Sequence, residues 1–372
     1  MYKLSYPKEE PSFEALRAQG GVYVDKSELI YSLAKYNVRT VFHRPSGLGK
    51  SLLLSTLKAY FAGKQELFEG LKIASWEHEW RPYNVLHLDF GTFKSPALLS
   101  LSEQLHAYLA NLERAYGIED IIDPNPASRL AHIIKQAYKS TGRPVVLLID
   151  NYDQPLSALQ PSAYSELTRE SVGMMRSCWA ALKLADEYLH FVLLVGKTNW
   201  IRDLDLAQLD DLSLSPEFES LCGFTQAEIK TYLAQPLQAL ALDRGEALEL
   251  TIERLQENYG SYCFSDKLTH LYQPTSLLKA LEHQELKHYS TYLESIATAQ
   301  VLLERNKTSL ASLAGEYYPP CCFASYSAAS PEPLAWLYQQ GLLTIKAYDS
   351  TRQRYLLDIH NIHSQLLSHF AL

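Results

Sequence analysis

The chain has 372 residues, 47% of them apolar and 20% charged, which excludes intrinsic disorder as its main state and leaves room for two domains or one large domain with an appendage. Its net charge of −8 argues against nucleic acid or anionic lipid as a partner of the whole molecule. Five cysteines without framework spacing, and no leader-like or membrane-length apolar run, make a cytoplasmic protein without a membrane segment the expectation.

Over roughly the first 225 residues apolar runs alternate with helical patterns, the arrangement of a parallel α/β sheet. Strands are predicted at 38–43, 84–90, 145–150, 190–196 and, with blurred bounds, 212–222, giving a mostly parallel five-stranded sheet. The run 145–149 is continuously apolar, as in a strand covered by helices on both faces. Beyond 225 the texture turns helical. Thr225 and Glu228 have the spacing of a capping box, in which the hydroxyl accepts from a free backbone N–H and the glutamate reaches back. An amphipathic stretch over 248–258 stops near Gly260. Residues 333–340 predict a helix closed by Gly341, and 342–348 and 354–360 alternate like a hairpin around Asp349-Ser350-Thr351. Residues 361–370 are apolar at helical spacing. The predicted organisation is an α/β domain over 1–224, a helical lid over 225–330 and a winged-helix-like segment over 331–372.

Gly49-Lys50-Ser51 is weak as a bare tripeptide and informative in context, because the apolar run 38–43 precedes it and the apolar-periodic stretch 52–61 follows. Such a strand–loop–helix wraps phosphates. Backbone N–H groups from Gly47, Leu48, Gly49 and Leu52 and the helix N-terminus supply partial positive charge, Lys50 reaches the β- and γ-phosphates, and the Ser51 hydroxyl ligates magnesium. The expected ligand is ATP with Mg2+. The full pattern has glycine where this chain has Arg44, followed by Pro45. Arg44 then either adds a cation near the phosphates or forms a surface contact.

About a hundred residues on, the buried run ends in Asp150-Asn151-Tyr152-Asp153. A carboxylate at the C-terminal end of a strand beside the phosphate-loop strand can hold magnesium through water; the alternative is a residue that caps the strand. Asn151 stands where an active ATPase of this kind has a glutamate base, and an amide can orient water without taking its proton. Asp153 is either a substitute base or a solvated turn carboxylate. Thr198 and Asn199, after the strand 190–196, either watch the γ-phosphate or begin a loop. Asp89, ending the run 84–90, reads somewhat more readily as a loop-starting aspartate than as a ligand-binding one.

These stretches, with residues 21–27, 44–57, 60–64, 67–71, 87–90, 148–156, 221–225, 259–265 and 341–346, resemble the bacterial predicted AAA-ATPase family of P-loop NTPases over nearly the whole chain. The resemblance implies ATP binding, and it accounts for Arg44-Pro45, since the family's phosphate loop opens that way. Two departures bear on hydrolysis. The family's metal-strand motif reads Asp-Glu-Tyr-Asp, so Asn151 replaces a glutamate, and its third-strand motif reads Gly-Val-Thr-Lys, so Thr198 matches while Asn199 replaces lysine. The resemblance therefore implies a weak ATP hydrolase, with a nucleotide-gated interaction module and a DNA-associated defence or mobile-element factor as rivals. Many members resemble fusions to a PD-(D/E)xK nuclease-like domain. No Asp…Glu-x-Lys constellation is found at this chain's end, so no nuclease activity is expected.

Other signals read as structural. His360 and His363 lack further ligands at zinc spacing and read as ordinary surface histidines, Cys321-Cys322 has no partner C-x-x-C and reads as buried packing, and the segment after 225 carries more acidic than basic side chains, against the footprint of a DNA reader. A protein partner of unspecified kind remains compatible with all of this.

Overall fold

Leu, Val, Ile and Phe, which suit a pleated surface buried on both sides, dominate β3 (Val145–Asp150) and β4 (Leu189–Gly196), and line the cores of β1 (Arg39–His43) and β2 (Asn84–Asp89). With the two-residue β5 (Asp210–Asp211) they form a five-stranded sheet of order β2-β3-β4-β1-β5, in which every pair is parallel. The computed structural model describes residues 12–36, 38–93, 100–119, 123–157, 166–287, 289, 293–327 and 329–360.

Two expectations are corrected here. The metal-strand candidate β3 is not beside the phosphate-loop strand β1; β4 lies between them. β4 is buried along its length except at His190 and β3 at every residue, so the core of the sheet runs along both. The strand expected over 212–222 is also absent: only Asp210 and Asp211 pair with β1, opposite Thr40 and Val41. Leu212, Phe218, Leu221 and Cys222 are buried within turns, so their apolarity records packing rather than a ladder.

The helix Lys50–Phe61 packs on β2 and β3, as does Pro126–Thr141, which Asn125 caps by accepting from Ala127 N at 2.8 Å and which Gly142 ends in the left-handed region. Four further helices, Gln226–Tyr232, Ala234–Arg244, Leu248–Tyr259 and Pro274–His283, have an apolar cluster of their own around Ile229, Leu240, Leu255 and Leu277. The capping box forms: Thr225 Oγ1 accepts from Glu228 N at 3.2 Å, and Glu228 accepts from Thr225 N at 2.8 Å. A short ribbon of β6 (Phe224–Thr225) and β7 (Leu271–Tyr272) ties this segment's ends.

Beyond it, β8 (Glu316–Tyr318), β9 (Leu343–Asp349) and β10 (Arg354–Ile359) make an antiparallel sheet of order β8-β10-β9, next to the helices Leu293–Arg305 and Pro333–Gln339. Leu302, Phe323, Leu337, Ile345 and Leu357 from this part share one apolar cluster with the parallel sheet. The helix expected over 361–370 lies outside the described residues. No helix among the described residues is long and apolar enough to cross a membrane.

Candidate nucleotide site

Parallel strands bring His43, Asp89, Asp150 and Gly196 to one edge of the sheet, where open α/β sheets bind ligands. β1 hands over to the phosphate loop at Arg44, whose N–H donates to Gly196 O at 3.2 Å. Gly47 and Gly49 lie at φ 79° and 101°, where a side chain is strained, and a Cβ on Gly47 would also meet Gln273 Nε2 at 2.9 Å. Gly49 caps the helix Lys50–Phe61 with no side-chain bond, so the first-turn amides keep their donors for the loop's interior.

Lys50 curls back over the loop, its Nζ donating to Arg44 O at 2.7 Å and Pro45 O at 3.1 Å. Burial lowers its pKa, and the nearby Asp153 carboxylate is the strongest influence opposing that. The nearby Ser51 hydroxyl favours the charged form of the Asp150 carboxylate. Asp150 is only 3% exposed, and its Oδ1 has no hydrogen-bond partner. Burial raises its pKa, and the Asp89 charge adds to the rise. A buried carboxylate with an unsatisfied oxygen, beside a hydroxyl at a helix N-terminus, is an all-oxygen donor set that fits a hard cation such as magnesium.

Asp89, read from sequence as a loop starter, belongs to this group. It pairs in register with Asp150 across the sheet. Its Oδ1 accepts from Asn151 Nδ2 at 2.9 Å and from Gly91 N at 2.7 Å. Asn151 is held at φ 54°, a left-handed conformation that asparagine tolerates better than most residues.

Asp153 is not a solvated turn carboxylate. It is 4% exposed, and its Oδ2 accepts from Lys197 N at 3.1 Å and Thr198 N at 2.8 Å, fastening the loop after β4 to the loop after β3. Between them Tyr152, fully buried, joins His43 Nε2 at 2.6 Å and accepts from Trp200 N at 3.1 Å.

Arg44 is corrected as a phosphate contact and as a surface residue. Its guanidinium is buried between the rings of Phe42 and Phe264, 4.2 and 4.1 Å from their centroids, and donates to His43 O, Ser213 O and Glu219 O. Burial pulls its pKa down to about 10. The planar cation stacks where an ammonium could not, so only the backbone of Arg44 faces the loop's interior.

Sequence reading missed the residues that enclose the loop. Gln273 Nε2 donates to Ser46 O at 2.7 Å, Thr275 donates to Gly47 O through both its N–H (3.3 Å) and its hydroxyl (3.1 Å), and Gly223 N donates to Leu48 O at 2.8 Å. Leu48 is thereby buried, while Leu52 lines an apolar cleft with Val22, Val24, Cys222 and Phe224. Pro274 at a helix start was the one available signal for that contact. The C-terminal part supplies Gln339 and Gln340, which no motif marks. Two of the structural readings are corrected: His360 is not a surface histidine but fully buried, packed on the Tyr262 ring at 4.1 Å, and Cys321 and Cys322 are exposed thiols rather than buried packing; His363 lies outside the described residues.

The family model described as Predicted AAA-ATPase matches residues 10–203, more than half of the chain and the stretch that holds the phosphate loop, Asp89 and Asp150. The chain is also 27% identical over 327 residues to a protein of Azotobacter chroococcum mcd 1 described as "Uncharacterized protein in vnfD 5'region". That similarity covers 87% of this chain and 60% of the relative, so the chain spans about three-fifths of the relative's length. The match places the phosphate loop and its carboxylates inside the stretch that the family model covers, and the chain belongs to the predicted AAA-ATPase family.

Proposed function

We propose that the protein binds magnesium–ATP and hydrolyses it slowly, with the helices of 226–283, inside the segment 225–330, as a lid over the nucleotide and 331–372 as a winged-helix-like tail. The observation that carries this reading is Asp150, a buried carboxylate with an unpartnered oxygen at the end of β3, near the Ser51 hydroxyl in the first turn of the phosphate-loop helix. Ser51 and Asp150 would hold the metal, which when bound offsets the charge of the β- and γ-phosphates. Lys50 would exchange two loop carbonyls for phosphate oxygens, and the amides of Gly47 to Leu52 would donate to the rest. The cleft beside Leu52 suits the nucleobase.

Asn151 cannot take a proton at neutral pH. Its amide steadies Asp89 Oδ1 and leaves Oδ2 to accept the proton of the attacking water as the γ-phosphorus parts from its bridging oxygen. Asp153 is committed to two backbone amides, which makes it a brace rather than a base. A neutral residue at 151 and a base displaced to the neighbouring strand account for slow turnover.

Calorimetric titration of wild type and Lys50→Ala tests binding: the variant should stay folded and lose magnesium–ATP affinity. Equal affinity in both, or none in either, overturns the reading. Single-turnover rates test the chemistry. Asp89→Asn should slow hydrolysis by about 10²-fold with affinity kept. Asn151→Glu combined with Asp89→Asn, which moves the carboxylate instead of doubling it, should exceed the wild-type rate. An undiminished rate in Asp89→Asn removes Asp89 as the base.

A further inference from the structure

The helix Pro333–Gln339 is apolar and buried through Leu334, Ala335, Trp336, Leu337 and Tyr338, yet it ends in two glutamines that are themselves buried. Burying an amide costs free energy unless it is hydrogen-bonded, and both of these are bonded to one place. Gln339 Oε1 accepts from Asn199 N at 2.9 Å, and Gln340 Nε2 donates to Thr198 Oγ1 at 3.2 Å. Tyr326 N donates to Asn199 O at 2.9 Å, and Asn199 Nδ2 donates to Ala324 O at 2.8 Å, both from the same part of the chain. The other side of that loop is fastened by Asp153 to the end of β3.

We propose that Gln340 is a positioning residue for the nucleotide site: it fixes the Thr198 hydroxyl as a donor toward the γ-phosphate and thereby couples docking of the C-terminal segment to ATP in preference to ADP. The inference rests on the ATP-binding reading above. Its physical core is the direction of one hydrogen bond. Gln340 donates into Thr198 Oγ1, so the hydroxyl's own proton is not used in that bond and is left to donate to an anionic oxygen. A carboxylate at 340 only accepts. It would accept a hydrogen bond from the hydroxyl and turn that donor away from the nucleotide.

Coupling between two sites is reciprocal, so the nucleotide must also be felt at the helix. In wild type, magnesium with a non-hydrolysable ATP analogue should slow hydrogen exchange at the amides of Thr198, Asn199 and 333–340 more than magnesium–ADP does.

The decisive measurement is the ratio of ATP to ADP affinity in wild type, Gln340→Met and Gln340→Glu. Methionine keeps the shape without the donor. ADP affinity should stay within about twofold, while the preference for ATP falls by about tenfold in Gln340→Met and further in Gln340→Glu, the scale of a hydrogen bond to a charged group. Combining Gln340→Met with Thr198→Val should add nothing to the single Thr198→Val effect on that ratio. A purely structural role predicts equal losses for both nucleotides and a lowered melting temperature. Equal losses, an unchanged ratio, or no difference in wild-type exchange between the two nucleotides overturns the proposal. Wild type that binds neither nucleotide refutes the ATP-binding reading itself, an outcome recognisable before any variant is made.

Discussion

The helical segment around Gln273 and the C-terminal segment around Gln340 both reach the nucleotide loops, but they are attached in different ways. The helical segment has its own apolar cluster and meets the phosphate loop through hydrogen bonds from Gln273 and Thr275 to two successive carbonyls, with a Lys26–Glu228 ion pair of 2.6 Å alongside. The C-terminal segment has no separate cluster; its Phe323, Leu337 and Leu357 are continuous with the core under the parallel sheet. Helices whose apolar contacts are mostly private can open while the rest stays folded, with Tyr262, Cys263, Phe264 and Leu271 of the intervening loop remaining in the main core. A part that shares the core cannot. The first arrangement suits a lid, the second a fixed frame against which the loop after β4 is held.

The largest effect that bears on this contrast comes from emptying each core. Phe323 is fully buried and meets Tyr338 and Tyr355 edge-on. Phe323→Ala should cost about 3–5 kcal/mol, and hydrogen exchange should show the sheet's amides losing protection along with the C-terminal segment. Leu255→Ala, in the helical cluster, should cost about 2–5 kcal/mol and expose 226–283 while β1, β3 and β4 keep their protection. Sheet protection that survives Phe323→Ala unchanged would erase the distinction. A smaller effect sharpens it. Gln273→Ala removes one clasp on the phosphate loop, so local opening should become easier by about 1 kcal/mol. Exchange at Gly223 and Thr275 should rise, and the urea midpoint for the whole chain should hardly move. A shifted midpoint with unaltered exchange at those two amides would show that the contact belongs to the global core.

Much of the fold was legible because its signals are local. The bounds of β3 follow from an uninterrupted apolar run, the Thr225 capping box from four residues, and the hairpin of β9 and β10 from alternation on either side of a polar turn. Long-range pairing was not legible. Nothing in the order of strands along the chain says that β4 inserts between β1 and β3, and the buried turns of 212–222 have the composition of a strand. The site divides in the same way. Lys50, Ser51 and Asp150 announce themselves by motif, whereas Arg44 has the composition of a phosphate contact and is buried between the ring of Phe42, two residues before it, and that of Phe264, from a distant part of the chain. Asp89 becomes a site residue only once its register with Asp150 is known. Gln339 and Gln340 look like the polar end of an ordinary helix until the loop after β4 is brought to them.

Arg44 and Pro45 bear on how much order the loop must acquire when an anion arrives. The arginine is pinned between Phe42 and Phe264, the proline ring restricts its own φ, and the next three carbonyls are each claimed by a donor. A loop so restrained has already surrendered most of its conformational entropy during folding, so little more is lost on binding. The remaining cost is enthalpic and sits on a single side chain. In the proposed function Lys50 would leave two carbonyl oxygens, at 2.7 and 3.1 Å, for the phosphate. Binding at this loop is therefore a transfer of one cation between two sets of acceptors within a cradle already shaped.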